Sequence, residues 1–160
     1  MAKHAKERNA MRRKDRMITD EETLSILEKG EYGILSTVSP DHEPYGVPLN
    51  YCLINNHIYF HCAVEGRKIE NMLHNPRVSF CVVGRTEVMP EKFGTRYESC
   101  LVFGLASEAL GEEKQMALEG LIRKYSGAFF MEGLTYIEKS GNRTRVFKIA
   151  IESVSGKARR

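Results

Sequence analysis

Across residues 44–54 the chain alternates without a slip. Tyr45, Val47, Leu49, Tyr51 and Leu53 are large and apolar, whereas Pro44, Gly46, Pro48, Asn50 and Cys52 are small or polar. A two-residue period puts each set on its own face of an extended strand, so one side joins a core and the other is nearly bare. The two prolines leave part of this strand without ladder donors. Either something other than a neighbouring strand covers the bare face, or this is a solvent-facing edge strand whose prolines prevent aggregation.

The flanking sequence surrounds this segment with more strands. Residues 32–38 are strand-like, Pro40-Asp41-His42-Glu43 has turn chemistry, and Asn55-Asn56 turns the chain into residues 58–62, which predicts an antiparallel meander. Residues 77–83 follow Asn75-Pro76 as a fourth strand, and residues 95–110 form a long bent one with Gly104 at a bulge. A loop is expected over residues 86–94, and residues 143–154 close the sheet. Thr19-Asp20-Glu21-Glu22 is a capping box ahead of Leu24 and Leu27, and Gly30 supplies a stop, so a helix of about ten residues opens the domain. Met116, Leu118, Leu121, Ile122 and Tyr125 carry helical spacing over residues 112–125. Six strands with inserted helices satisfy their edges best by curling, which predicts an α+β fold built on an antiparallel barrel.

Composition narrows the class. A chain of 160 residues that is 42% apolar fits one domain with a single core. No apolar run approaches the ~20 residues of a membrane-spanning helix, and the charged N-terminus has no apolar segment behind it, so neither a membrane nor a secretory route is expected. The expected location is cytoplasmic. The net charge is only +3, but Lys3, His4, Lys6, Arg8, Arg12, Arg13, Lys14 and Arg16 crowd the start of the chain. This basic arm, residues 1–17, has no aromatic residue for base stacking, and the remainder, residues 18–160, shows no DNA-binding motif. A solvated arm, or one that orders against a partner subunit, is the expectation, and no nucleic-acid partner. Cys52, Cys62, Cys81 and Cys100 are widely spaced within apolar runs, which points to buried free thiols rather than a metal site; His57 and His61 add little to that.

The second informative stretch is residues 58–76, a short strand that passes through Gly66 into a helix whose first residues are Arg67 and Lys68. The first N–H groups of a helix lack partners within it, and the macrodipole makes that end partly positive, so two cations there point to a bound anion. The alternative is a pair of solvated charges offset by Glu65 and Glu70. The second and third strands are hairpin neighbours in this reading, so the bare face and the basic corner lie on adjacent elements. One ligand with a flat ring at one end and a phosphate at the other then spans both, which describes flavin mononucleotide (FMN) or a related cofactor.

These segments resemble the pyridoxamine 5′-phosphate oxidase-like flavoproteins: the third strand, the Gly66-Arg67-Lys68 helix start, and Asn75-Pro76 leading into the fourth strand. The nitroimidazole-resistance branch is closer still, through residues 12–16, Tyr32-Gly33-Ile34-Leu35-Ser36, residues 44–51, Ile58-Tyr59-Phe60-His61 and Ser155-Gly156-Lys157. The resemblance implies a six-stranded antiparallel split β-barrel with flanking helices, a homodimer holding FMN between its subunits. Arg67 and Lys68 would then hold the phosphate, with Gly66 where the oxidases often have serine. The backbone at Val47, Pro48, Leu49 and Asn50 would face the ring, His61, Cys62 and Ala63 would line the ribityl and ring region, and Ser99 would approach the cofactor, from the same or the other subunit. One departure matters: the oxidases carry basic residues on the second strand to grip the vitamin phosphate, whereas this strand presents Gly46, Pro48 and Asn50.

The implied activity is transfer of electrons from a nicotinamide-type donor to a small organic acceptor, including a nitroaromatic. His61 is the one side chain nominated as a proton donor or substrate contact, because imidazole titrates near neutrality. A binding module that holds flavin, haem or a deazaflavin without turnover is the alternative, and a nucleic-acid regulator working through the basic arm is a third.

Overall fold

A computed structural model describes residues 12–160. Seven strands form one antiparallel sheet: β1 Gly33–Val38, β2 Pro44–Leu49, β3 Cys52–Ile54, β4 His57–Cys62, β5 Arg77–Met89, β6 Gly94–Ala109 and β7 Arg145–Arg159. Their order across the sheet is β2-β1-β5-β6-β7-β4-β3. Four α-helices flank it: α1 Asp20–Lys29, α2 Arg67–His74, α3 Gly111–Ser126 and α4 Phe130–Ser140.

The strand count is therefore seven rather than six, because the alternating segment 44–54 breaks in two. β2 pairs with β1 at one edge of the sheet, and β3 pairs with β4 at the other. The break falls at Asn50-Tyr51, and its cause is a side chain from α3. The buried Tyr51 N–H donates to Tyr125 Oη at 3.0 Å, and that hydroxyl lies 2.9 Å from the Tyr51 carbonyl and 2.6 Å from the Glu31 carbonyl. One phenol thus takes the place of a ladder rung, as buried backbone groups require. The sheet curls so that its two edges are joined by this stretch of chain, but they do not hydrogen-bond to each other: the barrel is split, not closed.

The expected loop at 86–94 is mostly strand. β5 and β6 continue as a hairpin arm, paired as far as Met89 and Gly94, with a bulge between Val83 and Thr86 and a tip at Pro90–Lys92. Gly104 does sit at an irregularity: Phe103 pairs with Ser153 and Gly104 with Ile151, so Glu152 is the extra residue. A Cβ on Gly104 would lie 2.3 Å from the Ala150 carbonyl oxygen.

Two apolar clusters hold these elements. Leu27, Leu35, Phe60, Phe80, Val82, Val102, Phe147 and Ile149 fill the inside of the curl, and Tyr59, Ala109, Ala117, Leu121 and Val146 lie outside it beneath α3. The capping box of α1 forms as expected, with the Thr19 N–H on Glu22 Oε2 at 3.0 Å and the Glu22 N–H on Thr19 Oγ1 at 3.2 Å. Gly30 ends α1 in extended backbone, with φ −60°. It is glycine for space, since a Cβ would lie 2.4 Å from Val82 Cγ1 and 2.7 Å from Tyr51 Oη.

Within the basic arm, Met17 bridges Lys157 of β7, the Ile18 N–H donates to the Gly156 carbonyl, and Arg16 donates to Tyr97 Oη at 3.2 Å. Residues 1–11, which carry the rest of the arm, lie outside the described residues. No helix among the described residues is long and apolar enough to cross a membrane.

Candidate functional site

The basic corner is built by the exit of β4. Alternation turns Phe60 and Cys62 into the core and leaves His61 and Ala63 exposed, so only the backbone of Cys62 is on the outer side. The chain then reaches Gly66, the N-cap of α2, at φ 139°, a conformation open to glycine and strained for other residues. A Cβ here would meet nothing within 4 Å, so the requirement is one of backbone rather than room. The Gly66 carbonyl accepts the Ile69 N–H at 2.9 Å and the Glu70 N–H at 3.2 Å, while no side chain caps the helix. That leaves the Arg67 and Lys68 N–H groups at the start of the helix without an intrahelical partner.

Arg67 and Lys68 differ in what they touch. The Arg67 guanidinium pairs with Glu43 and lies over the Tyr45 ring, 5.2 Å from its centroid. Lys68 is half-buried and carries no hydrogen bond or ion pair among the described residues. Partial burial and the Lys68 ammonium both hold the His61 imidazole below its usual pKa. Burial raises the Cys62 thiol, which is accordingly protonated and inert at neutral pH.

A buried relay fixes α2 against the first hairpin. Asn71 Nδ2 donates to Thr37 Oγ1 at 2.9 Å, and that hydroxyl donates to the Tyr45 carbonyl at 3.4 Å. The start of α2 thus lies at the entry of β2. The expected route to this proximity is corrected: the hairpin with β4 is made by β3, the second part of the alternating segment, while β2 lies at the other edge of the sheet, and α2 brings the corner to β2 by packing across β1.

Along β2 the outward positions Pro44, Gly46, Pro48 and Asn50 are exposed, while Val47 and Leu49 lean on the core. From Tyr45 to Asn50 the strand advances roughly 17 Å at ~3.3 Å per residue. Gly46 pairs with Ser36 and Pro48 with Ile34, so small residues from two strands share this surface. It continues across β5 and β6 through Ser79, Cys81, Leu101 and Phe103. Ser99 belongs to the same outward face but stands on β6, three strands from β2, which is roughly 14 Å at ~4.8 Å per strand. Ser99 is thus not brought together with Arg67 and Lys68 within one chain.

Glu43 and Tyr45 are the contacts that residue reading missed. Both sit at the end of a turn with nothing in their spacing to mark them, and only the packing of α2 shows that they face Arg67. Among the described residues no cluster of histidine, cysteine or acidic side chains has the makings of a metal centre, and all four cysteines are free.

The fold is that of solved structures of varied description. A candidate 5-nitroimidazole antibiotic resistance protein from Bacteroides thetaiotaomicron is 24% identical, with a TM-score of 0.77 over 89% of this chain and 86% of that one. A FAD-binding protein from Mesorhizobium loti is 26% identical, with a TM-score of 0.66 over 91% and 98% of the two chains. A FAD and heme binding protein from Mycobacterium smegmatis is 17% identical, with a TM-score of 0.78 over 89% and 73%. No curated protein matches this chain. The profile of the pyridoxamine 5′-phosphate oxidase family matches residues 19–158, nearly the whole of the described chain, and the protein belongs to that family.

Proposed function

We propose that this protein binds FMN, with the phosphate at the N-terminus of α2 and the ring against the outward face of β2, and that it passes electrons from a nicotinamide-type donor to a small organic acceptor such as a nitroaromatic. The observation that carries this reading is the junction at Arg67, which joins a glycine-capped, cation-bearing helix start to the entry of a strand with a bare face. Family membership and the similarity of fold to FAD-binding proteins support it.

The donor set fits a phosphate. Gly66 leaves open space beside the first-turn N–H groups, and Lys68 is a cation there with no hydrogen bond or ion pair among the described residues. Arg67 is already paired with Glu43, so an incoming phosphate shares or displaces that carboxylate. Gly46 and Pro48 allow a planar group to lie close to the β2 backbone, and the Asn50 amide offers both a donor and an acceptor to a polar ring edge. When bound, the flavin supplies the redox chemistry. In this reading His61, whose pKa is lowered by burial and by the Lys68 ammonium, holds or delivers a proton on the Lys68 side of the site. Pyridoxamine phosphate is a poor candidate substrate, because β2 presents no basic side chain on its outward face.

The homodimer belongs to the same proposal. On the outward face of β1 and β5, Ile34 and Val83 are 38% and 51% exposed among the described residues. A second copy that covers this face buries those side chains and supplies a Ser99 from across the interface.

The testing experiment is an absorbance spectrum of freshly purified protein, followed anaerobically by a nicotinamide and then a nitroaromatic. Flavin bands that bleach with the donor and return with the acceptor are expected. A second reading, a cofactor-holding module without turnover, is favoured by the fold's similarity to a FAD and heme binding protein. It predicts flavin, haem or deazaflavin bands that the donor leaves unchanged.

A further inference from the structure

A second cleft lies between α3 and β3, shares no residue with the candidate cofactor site, and encloses about 590 Å³. Leu53, Ile54, Met116 and Gly120 give it apolar walls, Cys52 and Lys124 also line it, and the charged groups that face it are Glu28, Glu119 and Arg123, the last two paired with each other along the helix. Lys124 Nζ is buried and has no hydrogen-bond partner among the described residues. It rests 3.8 Å from the centroid of the Tyr51 ring and 5.4 Å from that of Tyr125. Neither phenol oxygen accepts from it, because Nζ lies over the ring faces; Tyr51 Oη is held by its bond to the Leu27 carbonyl, and Tyr125 Oη is engaged with the Tyr51 N–H and two carbonyls.

An ammonium buried without acceptors is a poor resident, and the ring faces offset only part of what is lost from water. Burial accordingly lowers the pKa of this lysine and favours its neutral form. The fraction of this amine that is neutral, enlarged by burial, has a free lone pair and is a nucleophile toward carbonyl carbon. Cys52, the other candidate nucleophile, does not compete, since burial pushes its thiol up to about 11 and Sγ already lies 3.7 Å from the Ala117 carbonyl oxygen.

We propose that Lys124 is a carbonyl-reactive amine and that the cleft between α3 and β3 admits a small apolar aldehyde to it. The amine nitrogen attacks the carbonyl carbon and the π pair moves to oxygen. A proton passes from nitrogen to oxygen to give a carbinolamine, and loss of water leaves an imine. The step exchanges no electrons with any third party.

The test uses the whole protein at neutral pH with butyraldehyde and cyanoborohydride, which delivers hydride to the imine carbon and fixes the adduct. Peptide mapping then reads the rate at each lysine. Lys124 is expected to be alkylated roughly tenfold faster than the exposed Lys29, Lys92 and Lys139, with half-maximal rate at a lower pH than theirs. The fast phase should vanish in Lys124→Arg. Labelling of Lys124 at or below the rate of the surface lysines, or a pH midpoint equal to theirs, would overturn the proposal. The readout needs no flavin, so it succeeds or fails separately from the cofactor reading.

Discussion

Arg67 lies across the ring of Tyr45, at 5.2 Å from its centroid, and so fastens the first residue of α2 to the entry of β2. These two residues are twenty-two positions apart in the chain and belong to elements that share no hydrogen-bonded strand pair. Their contact places the basic corner beside the bare strand, and Glu43, paired with the same guanidinium, sets how freely Arg67 can turn to an anion.

Removing that carboxylate should therefore help the ligand. Glu43→Gln frees Arg67 without changing side-chain size and is expected to tighten FMN binding by roughly threefold to fivefold, in line with ~1 kcal/mol for an exposed ion pair. Fluorescence-quenching titration reads the change, and weaker binding would count against a phosphate near Arg67.

Gly66→Ala separates backbone from space. No atom lies within 4 Å of the added Cβ, but φ 139° remains, so a loss of about 1–3 kcal/mol in denaturant stability is expected from strain alone. An unchanged midpoint would show that the turn relaxes to another conformation.

His61 should report through pH. Its pKa is lowered in the folded chain, so the folded state binds fewer protons than the unfolded state below the ordinary histidine pKa, and stability falls as pH drops through that range. His61→Asn is expected to flatten this slope and to shift the acid limb of any turnover profile. If the variant keeps wild-type flavin affinity and turnover, the residue has no part in the chemistry.

Lys124→Met keeps the aliphatic stem over Tyr51 and removes the unpartnered ammonium. A gain of roughly 1 kcal/mol at neutral pH is expected from thermal or denaturant unfolding. Because the folded pKa of this lysine is depressed, wild-type stability rises with pH between the folded and unfolded values, so the advantage of the variant should shrink as pH climbs toward 10. An advantage independent of pH would contradict the burial argument.

Tyr125→Phe deletes one hydroxyl that serves both backbone groups of the buried Tyr51. A cost of about 2–3 kcal/mol is expected, since two buried polar groups lose their partner at once. A cost near zero would mean that water replaces the phenol.

What could be read from residue order follows the reach of each signal. The alternation of residues 44–54, the capping box at Thr19 and the glycine-to-cation step at Gly66 act within a few residues; the two helices so announced are present, and the alternating segment is extended but divided into β2 and β3. The break at Asn50-Tyr51 was invisible because its cause, Tyr125, arrives from 74 positions away. The same segment shows why a strict period cannot count strands: β2 and β3 keep one alternation while pairing at opposite edges of the sheet. The arm of β5 and β6 is hidden in the sequence because its strands are polar there, and Pro90 and Gly94 mark only its tip. In the site, Arg67 and Lys68 look equivalent in sequence, and only the fold assigns Glu43 to one and leaves the other without an ion pair among the described residues.

The central claim is that one phosphate-bearing flavin reaches from α2 to β2, and comparing two flavins tests it most directly. Dissociation constants for FMN and for riboflavin, which lacks the phosphate, should be measured with the wild-type protein and with Lys68→Met. FMN is predicted to bind the wild type at least roughly tenfold more tightly than riboflavin, with most of that difference gone in the variant. Equal affinities for the two flavins in the wild type, or no binding of either, would contradict it.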